Sequence, residues 1–321
     1  MALGFGLLGA ALAALAAFTA IHSALVARRY PSVAPLTPTS LGAMHIVRFG
    51  PDNAPRGAAM LVHGASGNYA DLAEALAKPL VSAGFQVFSV DRPGHGWSER
   101  ARASDPSSPE IQSAMIHEAL LALGVRKATL IVHSLGGPVG LAMALNAPQF
   151  VRALMLLAPV SHPWPGGVSF YYRVAAHPIF GPPFRRLLVA PAGLMVLNSS
   201  LQSVFAPCPI PPDYVRRTRL TLVFRPAHFK ANAEDVVGCF DHVSKLSPRY
   251  GEIGLPVAVV TGERDGVVYN HIHAAGLMRQ IADATRLDLP GIGHSPHFSA
   301  TEATVAAILA LDQRANANSS A

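Results

Sequence analysis

The chain has 321 residues, half of them hydrophobic and 14% charged, which suits one large packed domain with an insertion and excludes a disordered polymer. The net charge of +6 rests mostly on arginine, but no basic run interleaved with aromatics accompanies it, so no nucleic-acid partner is expected. The two cysteines, Cys208 and Cys239, match neither a metal-ligand spacing nor a disulfide framework. Buried free thiols are expected, with a mutual bridge open only to an oxidising compartment.

Residues 2–27 carry no charged side chain and are dominated by Leu, Ala, Gly, Phe and Ile; Arg28 and Arg29 close the run. At about 1.5 Å per residue such a helix crosses roughly 30 Å of hydrocarbon. A secretory signal requires a basic start and a small-x-small cleavage site, whereas this start has no Lys or Arg and no convincing site follows. Residues 1–29 are therefore expected as an uncleaved, single-pass transmembrane anchor. By the positive-inside rule its two arginines place the following domain on the cytoplasmic side. Residues 30–42, rich in Pro, Ser and Thr, read as a linker.

An alternating edge strand is predicted at 44–49 and a turn at 51–57. A buried strand at 58–63 runs into His63-Gly64-Ala65-Ser66-Gly67-Asn68, and a helix follows over 69–83 with Leu72, Leu76 and Leu80 on one stripe. The strand at 86–90 leads into Asp91-Arg92-Pro93-Gly94-His95-Gly96-Trp97-Ser98. After a helix over 108–123, a strand climbs from Ala128 to His133 and stops at Ser134. Gly136, Gly137 and a helical Ala/Leu/Met stretch come next. Further strands are predicted at 151–158, 257–262 and 285–289, with a last helix over 300–311. Between 159 and 250 the pattern breaks into proline-rich, irregular apolar sequence, expected to be a mainly helical lid. The chain thus divides into a first core part (43–158), the lid insertion (159–250), a second core part (251–314) and a disordered tail (315–321).

Strands alternating with helices predict an α/β fold: a mostly parallel central sheet with helices on both faces. Ligands of such sheets bind outside the carboxyl ends of the strands. His63, Asp91, Ser134, Asp265 and His294 all follow predicted strand ends, so they are expected at one edge.

Ser134 lies on a sharp strand-to-helix turn that pushes its hydroxyl out beyond the sheet, with helical N–H groups aimed at the same spot. The plain alternative is a serine N-cap. A serine hydroxyl needs an adjacent base to act as a nucleophile, and that base needs a carboxylate to hold its tautomer. Asp265 follows the strand at 257–262, and His294 lies in the Gly-rich loop after the last strand. Glu263 competes for the acid role and His297 for the base; the glycines before His294 favour it. His63 and His133 are expected as scaffolding. No histidine spacing supports a metal. Two amides would hold an oxyanion, those of Leu135 and Ala65. The order serine, acid, histidine is the one found in α/β-hydrolases.

The residues from Met44 to Leu311 resemble the α/β-hydrolase fold group of bacterial esterases, C–C hydrolases and haloperoxidases. The resemblance rests on His63-Gly64, on Asp91 to Ser98, on His133-Ser134-Leu135-Gly136-Gly137, on Gly262-x-x-Asp265 and on Gly293-His294. It implies a serine hydrolase that cleaves esters of hydrophobic acyl groups through an acyl-enzyme and needs no cofactor. The apolar lid segments 164–172 and 194–205 are expected to shape the acyl pocket or to pack the lid onto the core. C–C hydrolysis, acyl transfer or cofactor-free haloperoxidation would use the same triad. One departure stands out: Val132 occupies a position where the family usually has glycine. An elbow opened by Val132 would favour a ligand-binding protein without turnover.

Overall fold

Continuous aliphatic runs become strands buried on both faces, because helices cover both sides of a parallel sheet. The structure, a computed structural model, describes residues 2–320, with side chains from Phe5 to Asn318. Its strands are β1 (Leu36–Thr39), β2 (Gly42–Phe49), β3 (Ala58–Val62), β4 (Gln86–Val90), β5 (Ala128–His133), β6 (Val151–Leu157), β7 (Val257–Gly262) and β8 (Ala284–Leu289). They form one eight-stranded sheet in the order β1-β2-β4-β3-β5-β6-β7-β8. The pairs β1–β2 and β2–β4 are antiparallel and the other pairs parallel.

The helices are α1 (Ala2–Arg29), α2 (Ala70–Ser82), α3 (Pro109–Ala122), α4 (Gly137–Asn146), α5 (Phe170–Ala176), α6 (Gly181–Leu187), α7 (Val189–Phe205), α8 (Tyr214–Arg217), α9 (Pro226–Leu246), α10 (His273–Gln280), α11 (Pro296–Ser299) and α12 (Thr301–Ser320). The two-residue period of a strand sorts the core into two layers. Met60, Val62, Leu130, Val132 and Leu156 pack under α3, α4 and α10. Leu61, Ile131, Met155, Leu157 and Val260 pack under α2 and α12. Each such fully buried aliphatic contributes roughly 1.5–3 kcal/mol over an exposed one. Helices α5 to α9 lie between β6 and β7.

Three expectations need correction. Leu36–Thr39, inside the expected linker, is a strand that folds back on β2 through Gly42 (φ 144°), so the strand at 44–49 is not the edge. Pro38 suits this outermost strand, where a missing N–H costs no ladder bond. The expected tail at 315–321 continues α12 to Ser320, with Ala315 buried; Ala321 lies outside the described residues. What holds that helix is distant: buried Asp312 pairs with Arg56 at 2.7 Å and Arg152 at 3.0 Å, and Arg314 pairs with Asp283. Both cysteines are free, but only Cys239 is buried; Cys208 is half-buried against the Gly291 carbonyl.

Candidate active site

Strand β5 delivers Ser134 with φ at 51°, a left-handed backbone that costs a non-glycine residue energy and is kept only where the surroundings enforce it. Close approach enforces it here. A side chain on Gly136 would lie 2.8 Å from the His63 carbonyl oxygen, and one on Gly64 would lie 2.9 Å from the Ser134 Cβ. The loop after β3 therefore passes directly over the serine. Val132 does not open the turn. Its buried side chain fills the space left by Gly140 on α4, where an added Cβ would sit 2.8 Å from Val132 Cγ1. The bulk is traded between strand and helix, and the serine keeps its conformation.

The loops after β7 and β8 bring the acid and the imidazole to that hydroxyl. His294 Nδ1 lies 2.8 Å from Asp265 Oδ2, and His294 Nε2 lies 3.0 Å from Ser134 Oγ. An ionised carboxylate only accepts, so Nδ1 carries the proton and Nε2 is free to accept from the serine. Burial pushes the Asp265 carboxyl upward. The hydrogen bond and charge of His294, with the amides of Val268 and Val267 at 3.0 and 2.8 Å, outweigh it and hold the group below the usual carboxylate value. The two competing residues fall elsewhere. Glu263 is exposed and accepts from the Gly291 amide. His297 is buried behind His133, with ring centroids 4.5 Å apart.

The two other strand-end histidines act through hydrogen bonds. His63 Nδ1 donates to the Gly64 carbonyl at 2.8 Å, while its Nε2 accepts from the Arg92 amide at 3.0 Å. His133 Nε2 donates to the His294 carbonyl at 3.0 Å. Burial keeps His63 well below the ordinary imidazole value and takes His133 down to about 3, so both are neutral near pH 7. Ser66, next to Ala65, also has a left-handed backbone (φ 59°), and its amide donates to Asn232 Oδ1 at 2.6 Å. Leu135 packs with Val160, Trp164, Val236, Cys239 and Val243, an apolar wall beside the serine.

Residues 60–301 match the family described as alpha/beta hydrolase fold. The chain belongs to that family. Among curated relatives it is 26% identical over 228 residues to a 2-hydroxy-6-oxo-6-phenylhexa-2,4-dienoate hydrolase of Burkholderia cepacia, covering 67% of this chain and 73% of that one. A 2-hydroxy-6-oxononadienedioate/2-hydroxy-6-oxononatrienedioate hydrolase of Cupriavidus pinatubonensis is 26% identical over 192 residues, with 60% of this chain and 64% of that one covered. The chain thus spans about two thirds of the length of these relatives. Among solved structures it superposes on a bacterial membrane phospholipase A with a TM-score of 0.67 at 21% identity, over 98% of both chains.

Several buried polar residues of this α/β-hydrolase hold roles that the sequence alone does not assign, Asp91 and Arg92 among them. Arg92 is buried and donates to the His63 and Gly64 carbonyls at 3.1 and 3.3 Å, to Gln112 at 2.9 Å and to Asp235 of α9 at 2.6 Å. Asp91 accepts from the Tyr69 and Trp97 amides at 2.7 and 2.8 Å and contacts His45 Nδ1 at 2.7 Å. A side chain on Gly96 would fall on that carboxylate. The Asp-Arg-Pro-Gly turn thus braces the His63-Gly64 loop that passes over the serine. Asp71, at the start of α2, accepts from the Tyr214 hydroxyl at 3.0 Å, and burial pushes its carboxyl up to about 6. Asp71, His133 and His297 also bring one ligand-type atom each within 4.8 Å of one another, a span that one ordered water or a cation could bridge.

Proposed function

We propose that this α/β-hydrolase cleaves carboxylic esters of hydrophobic acyl groups through an acyl-enzyme on Ser134. The observation that carries the reading is the unbroken chain from Asp265 through His294 to Ser134, at 2.8 and 3.0 Å. His294 Nε2 takes the hydroxyl proton as Ser134 Oγ attacks the acyl carbon, and Asp265 stabilises the imidazolium. The Leu135 and Ala65 amides receive the oxyanion. Collapse expels the alcohol, which leaves with the proton from His294. Water, deprotonated by the same imidazole, then releases the acid. No step draws on a metal or an organic cofactor. The apolar wall around Leu135 and Trp164 favours a hydrophobic acyl group.

Likeness to dienoate hydrolases favours a second reading, C–C hydrolysis by the same three residues. Acyl transfer and haloperoxidation share the triad but have no observation of their own. The reason for a non-catalytic reading, an elbow opened by Val132, is absent. The protein acts at a membrane, with Phe5–Arg29 as its anchor; that helix is long and apolar enough to span. The overlap with a membrane phospholipase A along nearly the whole chain supports this. Arg28 and Arg29 orient the catalytic domain to the cytoplasm. Fluorophosphonate labelling followed by a p-nitrophenyl ester chain-length series, run beside vinylogous diketones, tests the reading. It expects an adduct lost in Ser134→Ala and rates that rise with acyl length. Turnover of diketones alone would replace it with the C–C reading, and no adduct would end both.

A further inference from the structure

Among the described residues Val26 is the one large apolar side chain of helix α1 that is buried; the helix turns most of the others outward. Its only polar uncharged side chains, Thr19, His22 and Ser23, lie toward the rest of the protein, whereas Phe5, Leu7, Leu8, Ile21 and Leu25 point away from it. Thr19 Oγ1, His22 Nε2 and Ser23 Oγ are buried, and the His22 ring meets Phe224 at 6.3 Å. A helix on a water-facing surface does the reverse and turns its apolar stripe inward. Helix α1 packs on α6, on α7 and on the turn at Leu220–Phe224.

Those lid helices carry the same outward surface. Helices α6 and α7 meet at 66°, a bend that fits a re-entrant pair. Met195 is 86% exposed, Phe170 75%, Ile179 72% and Phe180 64%, with Leu188 and Val196 also exposed. So many large apolar side chains on one insertion exceed what a water-facing surface scatters singly. Along these segments the sequence itself carries charge of one sign, while Glu234 and Asp241 of the neighbouring α9 lie near Arg185 and Arg173. Residues 159–212 contain no Asp or Glu but three arginines, exposed Arg173 and Arg186 and buried Arg185, and no acidic residue precedes Asp52. Nor is α1 a loose tether. Trp97 Nε1 donates to the Tyr30 carbonyl at 3.1 Å, and Arg219 reaches the Pro31 carbonyl at 3.4 Å, so anchor, lid and core hold one orientation.

We propose that the lid is itself a membrane-seated element: α6, α7 and the head of α5 sink into the interfacial layer of an anionic bilayer beside α1, and a bilayer lipid ester reaches Ser134 from that side. The seating stands on surface and charge alone; only the identity of the substrate rests on the ester reading above. An interfacial helix pair with an apolar face and basic flanks gains from both acyl-chain burial and anionic headgroups.

The test uses the full chain in phosphatidylglycerol-phosphatidylcholine vesicles whose acyl chains carry bromine, a quencher of tryptophan. Phe180→Trp and Met195→Trp are compared with Leu123→Trp, an exposed position after α3, each corrected for the native Trp97 and Trp164. The expected result is strong bromolipid quenching at 180 and 195, weaker without phosphatidylglycerol, and none at 123. Equal quenching at all three positions overturns the seating. So does protection of 180 and 195 from both bromolipid and aqueous iodide, which would mean that a protein partner or a second copy covers the patch. In the second arm, Ile179→Asp with Phe180→Asp is expected to slow hydrolysis of a vesicle-embedded long-chain ester by about tenfold, roughly 1.4 kcal/mol, while a soluble short-chain ester is cleaved as before. Equal loss on both substrates overturns delivery from the bilayer. Should the unmodified protein cleave neither ester, the ester reading fails while the quenching still decides the seating.

Discussion

Ser134, Asp265 and His294 are held by backbone. Each follows a strand of one sheet, and glycines let the loops close so tightly that an added Cβ would lie less than 3 Å from the neighbouring loop. The lid above them is tied down at this seam by buried charge instead. Arg92 of the core and Asp235 of α9 pair at 2.6 Å with almost no exposure, and Arg100 reaches the same carboxylate at 2.8 Å. Backbone geometry places reacting atoms to fractions of an ångström and tolerates neighbours. A buried ion pair has the opposite profile: its desolvation cost nearly cancels its attraction, yet losing one partner strands the other. The sheet edge should therefore fail chemically and the seam should fail structurally.

The largest expected effect breaks the chemistry alone. Ser134→Ala should lower the proposed ester hydrolysis by about 10⁴-fold or more, and Asp265→Asn should approach the same loss because the wrong tautomer of His294 is then favoured. Both should keep the urea midpoint of the parent. A Ser134→Ala protein with a large residual rate would break the comparison at its chemical end. Next in size is the seam. Asp235→Ala leaves Arg92 buried without a counter-charge and should cost about 3–5 kcal/mol in urea unfolding. The double change Arg92→Met with Asp235→Leu should recover only part of that loss, because the His63 and Gly64 carbonyls and Gln112 lose their donor with Arg92. A single-variant cost below about 1 kcal/mol, the value of a surface pair, would mean that the lid is held by something else.

Legibility follows the same division. The strands could be read from the chain because a parallel strand buried on both faces is a local aliphatic run, as in Leu130-Ile131-Val132. The meeting of Ser134, Asp265 and His294 could be read because each follows such a run. Strand β1 was hidden because Pro38 masks an outer strand. The end of α12 was hidden because Asp312 finds Arg56 some 256 residues away. Asp235 looks like any helical acid until Arg92, 143 residues earlier, is seen against it. Nothing local marks either partner, since the pairing exists only once lid and core have met.

A smaller effect sharpens the seam by pH. Tyr214 of α8 donates to buried Asp71 of α2, whose carboxyl is raised from 3.8 to about 6 by burial. The fold therefore favours its protonated form. That contribution is complete below about pH 4 and is lost as pH rises through 6. Asp71→Asn keeps an acceptor for Tyr214 without the charge. Relative to the parent it should gain stability from pH 4 to pH 7, by at most about 3 kcal/mol at 1.4 kcal/mol per unit. The buried histidines His63, His95, His228 and His297, all depressed by burial, weaken both proteins toward acid. The difference between the two urea midpoints across pH 4–8 therefore isolates Asp71. A difference that does not change with pH would show that this carboxyl titrates normally.

The smallest effect lies where the two regions touch the same loop. Asn232 of α9 accepts the Ser66 amide at 2.6 Å, and its Nδ2 lies 3.3 Å from Ser66 Oγ. Ser66 needs such a hold, because its left-handed backbone is costly for a residue with a side chain. A lid residue thereby aims the neighbouring Ala65 amide without touching the substrate. If Ala65 donates to the oxyanion, Asn232→Ala should lower kcat by about tenfold and leave KM nearly unchanged, since the amide matters most when negative charge develops. Asn232→Asp keeps the acceptor and should retain much of the rate. Loss of stability alone would act differently: it would lower the active fraction and leave the turnover of folded molecules, counted by fluorophosphonate titration, at the parent value. Such an outcome would make Asn232 part of the seam and leave the sheet edge to set the oxyanion site by itself.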